Sequence, residues 1–326
     1  MSIVTLTMNP AIDIATTTPR LVASDKMRCA APRFDAGGGG VNVARTIVTL
    51  GEPATAVFPV GGHTGRLLEQ LVRDAGVPAR TVGTAGTTRE NMAVTDAATG
   101  TQYRFVFPGM PLTPAEQQRV LDVVGESARG ATYLVASGSL PPGVPADFYQ
   151  QLADRSAEWG VRLVVDTSGN ALRQLSSGVH LLKPSIRELR EYIGRPLRER
   201  SEMLAAARLL ITAGVARVVV VSLGAEGALA VTAAAANWFP AVPEPVISGI
   251  GAGDAMVGGL TVGLARGWDL ETAVRLGIAA ATAALGTPGT GPGNSDHIDE
   301  LFARLRDGSE AAATRRPAVA DREGGL

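Results

Sequence analysis

The chain has 326 residues, 45% of them hydrophobic, which is enough to bury a large core as one big α/β domain or as a main domain with a smaller appendage. A formal net charge of -1 without long basic runs excludes a general nucleic-acid binder, because affinity for a phosphate backbone needs clustered Lys and Arg. A lone cysteine, Cys29, excludes an internal disulfide and a thiolate metal cluster, and His63, His180 and His297 lack the spacing of zinc ligands.

No basic segment leading into an apolar one opens the chain, and its apolar stretches are broken before spanning length. Neither export nor membrane insertion is expected, so the site of action is read as the cytoplasm. Only Lys26 and Lys183 stand among 30 basic residues. In a chain so biased toward Arg, a retained Lys points to a place where a compact ammonium serves and a planar guanidinium does not.

In chain order, 3-IVTLTM-8 reads as an apolar strand giving way to a polar turn, 9-NPAID-13, that carries Asp13. Residues 25–51 alternate like a strand, pass through four glycines and become an amphipathic helix ending at Gly51. A strand over 54–62 and a helix over 64–76 follow. The runs 89–96 and 101–109 flank the turn-prone 97-AATG-100 and suggest a hairpin. Beyond it strands over 132–137, 162–168, 179–185 and 217–224 alternate with helices over 146–160 and 201–214. After 227-GALAV-231 the chain passes Pro240, Pro243 and Pro245 into 248-SGIGAGD-254, then helices over 254–266, 270–286 and 296–306. Residues 307–326 are small and charged, the composition of a disordered tail.

Near-continuous apolar strands between helices require a sheet covered on both faces, so the architecture is a doubly wound, mostly parallel α/β domain over residues 1–306. The strands near 10–36 and 89–107 do not fit that alternation and are expected to form a small antiparallel lid over the carboxyl ends of the parallel strands, where such folds bind ligands. The glycine run before Asp254 lets backbone approach a ligand closely, and a helix start offers unpaired N–H groups to an anion. From this stretch alone, a plain turn with Asp254 as its N-cap is an equal reading. No Walker A lysine follows either glycine run, and Asp254 stands where a dinucleotide fingerprint needs its last glycine.

The two glycine-to-helix junctions, 36-AGGGGVNVAR-45 and 249-GIGAGD-254, resemble the two signatures of the ribokinase-like, or PfkB, carbohydrate kinase family. The resemblance spans roughly residues 3–305 and includes 5-TLTMNPAID-13, 102-QYRFVFPG-109, 137-SGSLPPGV-144 and 219-VVVSLGAEGAL-229, in order. In motif detail it lies nearest the branch that phosphorylates fructose 6-phosphate at its 1-hydroxyl. It implies ATP with Mg2+, and Asp254 as the base, with the N–H groups of Gly251, Ala252 and Gly253 stabilising the transferred phosphoryl group. Asp13, Gly38, Gly39 and Asn42 are the implied partners of the sugar hydroxyls. Lys26, Arg28, Arg89 and Arg104, placed on the lid strands, join Ser137 and Ser139 around the sugar phosphate.

On the nucleotide side the resemblance implies Lys183, Ser222, Gly224 and Gly227, with Glu188 holding magnesium through water. Here the chain departs from the family: 185-SIRE-188 carries Ser185 where the family motif has Asn, which puts magnesium handling in doubt. A second departure is 248-SG-249, where many relatives carry Asp-Thr. Many relatives also bind a monovalent cation such as K+ through backbone oxygens, which by position would come from Ser248, Ile250, Ala284, Thr287, Gly289 and Gly291. Phosphorylation of fructose 1-phosphate or tagatose 6-phosphate stays open, as does a catalytically weak sugar-phosphate-binding regulator of the same fold. An exposed lid edge needs covering, so a homodimer through the lids is expected.

Overall fold

The computed structural model describes residues 2–313. The first strand, β1 (Ile3–Leu6), leads through Asn9–Pro10 into β2 (Ala11–Thr18), and residues 19–32 then loop to β3 (Arg33–Gly37) and α1 (Gly39–Thr49). There follow β4 (Ala54–Val60), α2 (Gly62–Asp74), β5 (Ala79–Gly83), the hairpin β6 (Arg89–Asp96) and β7 (Gln102–Phe105), and α3 (Pro114–Ala128). Next come β8 (Tyr133–Ser137), α4 (Phe148–Trp159), β9 (Arg162–Asp166), α5 (Gly169–Arg173), β10 (Val179–Leu182), α6 (Ile186–Ile193) and α7 (Arg200–Thr212). The last third contains β11 (Ala216–Ser222), β12 (Ala228–Thr232), β13 (Ala236–Phe239), α8 (Ala252–Ala265), α9 (Leu270–Leu285) and α10 (Ser295–Ala313).

Nine strands form the main sheet in the order β13-β12-β11-β10-β9-β8-β1-β4-β5, antiparallel only where β12 and β13 are added at one edge. Successive residues of its strands feed opposite cores: Ile3, Val135, Val164 and Val220 pack toward α1, α8 and α9, while Val4, Leu134, Val165 and Val221 pack toward α3, α4 and α7. Two-sided burial is why these strands read as unbroken apolar runs rather than alternating ones. Strand β1 has β4 on one side and β8 on the other, so the chain's order reverses there and a crevice opens at the carboxyl ends of β1 and β8.

The lid is a second, four-stranded sheet, β3-β2-β6-β7, and three expectations are corrected around it. Its outer pairs are antiparallel, but its central pair, β2 with β6, is parallel. The reason lies in the main sheet, where β1, β4 and β5 run the same way, so the extensions that follow β1 and β5 leave the same edge in the same direction. Asp13 lies on β2, not in a turn, because Pro10 ends the turn and pairing with β3 and β6 begins at Ala11. The alternation over 25–32 forms no strand: every residue from 22 to 34 is exposed, so no buried face supports one, and Ser24 takes φ 63°.

Helix α3, unmarked by the periodicity, is announced by 113-TPAE-116, a capping box with Pro at its first position. Helix α10 continues past 306, and residues 314–326 of the expected disordered tail lie outside the described residues. Helices α8 and α9 pack backbone to backbone at glycines. A Cβ on Gly259 would stand 2.7 Å from the Leu276 carbonyl, and one on Gly277 2.9 Å from the Met256 carbonyl. Gly259→Val is therefore expected to force the two helices apart at a cost of about 2–3 kcal/mol, measurable as a fall in melting temperature. An unchanged melting curve would show that the pair can relax.

Candidate active site

The two glycine-rich junctions face each other. Gly38, the residue before α1, has φ 109°, and Gly251, the residue before α8, has φ 82°, both conformations that side chains rarely adopt. A Cβ on Gly39 would run into the Ser137 hydroxyl, so glycine there lets α1 start directly on the end of β8. Asn42 donates from Nδ2 to Asp254 Oδ2 at 2.9 Å, and Ser137 Oγ donates to Asp254 Oδ1 at 3.3 Å. Asp254 is thus not an N-cap; that position is Gly251, and the carboxylate is turned across the crevice instead. Burial pushes the Asp254 carboxyl above its ordinary value, and Asn42, Lys183 and Ser137 pull against that shift.

Lys183 follows β10 and is 3% exposed, with Nζ 3.1 Å from Asp166 Oδ2 and 3.5 Å from where a Cβ on Gly253 would stand. The retained lysine is thereby held at the mouth of α8. Burial works against its ammonium, but Asp166 and Glu188 together hold it above the usual lysine range. Asp166 itself is pushed up to about 7 by burial, against the attraction of Lys183. The sequence reading missed Asp166, although an acidic residue closing the apolar strand 162-RLVVD-166 is the signal for a group at the carboxyl edge of a parallel sheet.

Ser185 and Glu188 form a capping box at the start of α6: Ser185 Oγ accepts from the Glu188 N–H at 3.2 Å, and Glu188 Oε2 accepts from the Ser185 N–H at 2.7 Å. The departure from Asn at 185 therefore has a local structural role, and it fixes Glu188 within electrostatic reach of Lys183 and Asp166. Ser222 closes β11 and bridges to Ser185, while Gly224 and Gly227 bound the one-turn helix Gly224–Glu226. Gly227 has φ 94°, and a Cβ there would collide with the Phe239 carbonyl, so this glycine is required by packing as well as by the turn.

On the lid, Asp13 Oδ1 accepts from Asn91 Nδ2 at 2.8 Å, and burial raises its carboxyl against the pull of Asn91, Arg89 and Arg104. A side chain at Gly37 would strike this carboxylate. Arg89 donates to the carbonyls of Phe107 at 2.8 Å and Asn9 at 2.9 Å, and its Nε is buried without a partner among the described residues. Asn9 Nδ2 in turn donates to Ser139 Oγ at 3.2 Å, so Arg89 and Ser139 meet through one asparagine. Arg104 lies on β7, near enough to Asp13 to lower its carboxyl. Lys26 and Arg28 are not on lid strands as expected; both stand exposed in the 19–32 loop. Asn91 carries no local sequence signal, since only the lid's register brings it to Asp13, whereas Asn9 and Gly37 stand inside the quoted motifs without a role assigned to them there.

The residues expected around a monovalent cation are joined by hydrogen bonds. Ser248 Oγ donates to the Gly289 carbonyl at 3.0 Å and accepts from the Ile250 N–H at 3.2 Å, and Thr287 Oγ1 contacts the carbonyls of Ala284 and Gly291 at 2.8 Å each. No cluster of His, Cys, Asp and Glu able to hold a metal occurs among the described residues, and no described helix is long and apolar enough to cross a membrane. Lys183→Met leaves the Asp166 carboxyl buried without its cation, so we expect a loss of about 3–5 kcal/mol in stability. Chemical denaturation with and without the further change Asp166→Asn checks this, since the second substitution should restore part of the loss.

Comparison with known proteins places the chain. The model of the family described as "pfkB family carbohydrate kinase" matches residues 4–297. An ATP-dependent 6-phosphofructokinase isozyme 2 of Mycobacterium tuberculosis (strain CDC 1551 / Oshkosh) is 53% identical over 300 residues, covering 92% of this chain and 88% of that protein. Crystal structures of phosphofructokinase-2 from Escherichia coli, each 42% identical and covering 93% of this chain and 99% of the other, superpose with a TM-score of 0.88 for the complex with fructose-6-phosphate and 0.89 for the complex with potassium. With both glycine junctions, the lid and the crevice carboxylate in place, the chain belongs to the pfkB family of carbohydrate kinases.

Proposed function

We propose that the chain transfers the γ-phosphoryl group of ATP to the 1-hydroxyl of fructose 6-phosphate, giving fructose 1,6-bisphosphate, as one kinase domain over residues 1–306 working in the cytoplasm. The observation that carries this is a half-buried carboxylate, Asp254, set across the crevice from the lid and one turn inside an open helix mouth. Similarity to the M. tuberculosis and E. coli enzymes supplies the choice of substrate.

In this reading Asp254 takes the proton from the 1-hydroxyl. Asn42 holds Oδ2 at 2.9 Å, so Oδ1, with only the longer Ser137 contact, is the freer oxygen. The N–H groups of Gly251, Ala252 and Gly253 and the Lys183 ammonium meet the charge on the moving phosphoryl group, a task of positioning and neutralisation rather than covalent chemistry. Open space beside Gly249 and the Lys183 ammonium beside Gly253 fit a nucleotide phosphate, and Glu188 keeps Oε1 outside its capping box for a water on magnesium. Bound Mg2+ supplies further charge neutralisation on the nucleotide. Ser222, Gly224 and Gly227 frame the nucleotide's other end. Asp13, Asn42 and the backbone of Gly38 and Gly39 orient the sugar hydroxyls. Arg89, Arg104, Ser137 and Ser139 are the groups assigned to the phosphate dianion, with Lys26 and Arg28 of the exposed 19–32 loop as further cations.

Potassium held by the E. coli protein supports K+ among the carbonyls near Ser248, Ile250, Ala284, Thr287, Gly289 and Gly291. A homodimer through the lids is supported by an apolar row that crosses the four strands in register, Phe34, Ile14, Met92 and Phe105, of which Phe34, Met92 and Phe105 are 40–47% exposed.

With magnesium, ATP and a panel of ketohexose phosphates, wild-type protein should form ADP with fructose 6-phosphate, and Asp254→Ala should lower kcat by about 10²–10⁴ in a variant that circular dichroism shows to be still folded. Equal turnover by the variant removes the reading. Because the base acts ionised and burial raises its pKa, kcat should fall on acidification through a pH above the ordinary aspartate range. Light scattering should give a dimer mass for the wild type, and Phe105→Glu should shift it toward the monomer.

A further inference from the structure

Arg45 is a half-buried cation for which the kinase reading has no use. It sits one turn beyond Asn42 on α1, and its Nη1 lies within hydrogen-bond reach of four acceptors: Thr290 Oγ1 at 3.0 Å, the Thr290 carbonyl at 3.1 Å, the Ala36 carbonyl at 3.2 Å and Asn42 Oδ1 at 3.4 Å. Thr290 Oγ1 also reaches the Ala36 carbonyl at 3.4 Å. One guanidinium therefore joins the root of lid strand β3, the first turns of α1 and the 287–291 turn.

An amide side chain has two ends of similar shape, and its neighbours decide which way it points. Asn42 must present Nδ2, not Oδ1, to Asp254, since two oxygens facing each other would repel. Arg45 has donors only, so the oxygen of Asn42 is drawn toward it and the NH2 is left for the carboxylate. We propose that Arg45 is a positioning residue for phosphoryl transfer: it fixes the amide of Asn42 so that Asn42 holds one oxygen of Asp254 and leaves the other free for the sugar hydroxyl. Burial pulls the pKa of Arg45 down, Asp35 and Asp13 favour its charge, and Arg33 opposes it.

This inference rests on Asp254 acting as the base. The charged and polar groups that face Asp254 are Lys183 after β10, Asp13 on β2, Asp166 at the end of β9, Asn42 on α1 and Ser137 on β8. Arg45 makes no hydrogen bond to Asp254 and meets it through Asn42.

The test is a double-mutant cycle on the full chain with Asn42→Ala and Arg45→Met, using kcat with MgATP and fructose 6-phosphate. We expect Arg45→Met to lower kcat about tenfold. The double variant should be no slower than Asn42→Ala alone, within about twofold. Its acid limb should also move: losing the Asn42 hydrogen bond raises the pKa of Asp254, so the limb shifts to higher pH in Arg45→Met and does not shift further when Arg45→Met is added to Asn42→Ala. Losses that multiply, or a limb that stays in place, overturn the proposal, because a purely structural Arg45 would lower the amount of active enzyme without touching the limb. If Arg45→Met does not fold, the same cycle is run with Arg45→Lys. Failure of the kinase reading itself is separate, since it would show as turnover retained in Asp254→Ala.

Discussion

The structure depends on one hydrogen bond between two helix starts, from Asn42 on α1 to Asp254 on α8. Both helices begin at glycines in left-handed conformations, both point their N-terminal turns into the crevice between β1 and β8, and each supplies the side chain that meets the other. Residues 42 and 254 are 212 positions apart, so it is tertiary packing that brings them together. Aligned helix N-termini also give the crevice a positive field, which favours the carboxylate's charged form and any phosphate beside it.

Burial and charge are balanced around that bond. Lys183 and Asp166 form a nearly solvent-free pair behind the α8 mouth, and Glu188 adds a second negative charge within reach. Taking these groups out of water raises Asp166 and Asp254, while the single ammonium holds both down. Removing either member would leave an uncompensated charge, which makes the pair a structural requirement of the site as well as part of its electrostatics. The lid carries a similar tension. Among the described residues, Arg89 Nε and Asp35 Oδ2 are buried without partners, and both lie close to the Asp13 carboxylate or its cross-strand neighbour. Unpaired buried atoms are costly, so natural proteins keep few of them.

Much of this was legible in the residues themselves. Apolar strands between amphipathic helices specified a sheet buried on both faces, and the glycine runs marked the two places where backbone meets ligand, because glycine is retained where a Cβ cannot fit. Asp254, Asn42 and Lys183 stood out for the same local reasons. The capping boxes at Thr113 and Ser185 were also written in the chain, although the second was hidden behind its likeness to a metal-binding motif.

The remainder depended on pairing across distance. That β2 and β6 run parallel follows from the directions of β1 and β5, which no local pattern encodes. Asp166 becomes a partner of Lys183, Asn91 of Asp13, and Arg45 of Thr290 through strand register and helix packing, and a side chain's partner across 78 or 245 residues leaves no trace in its own neighbourhood. The sequence by itself determined which elements form and where glycine must stand, since those are set by short-range sterics and hydrophobic period. Only the tertiary structure decided which buried charges face one another, because that depends on where the sheet places the ends of its strands.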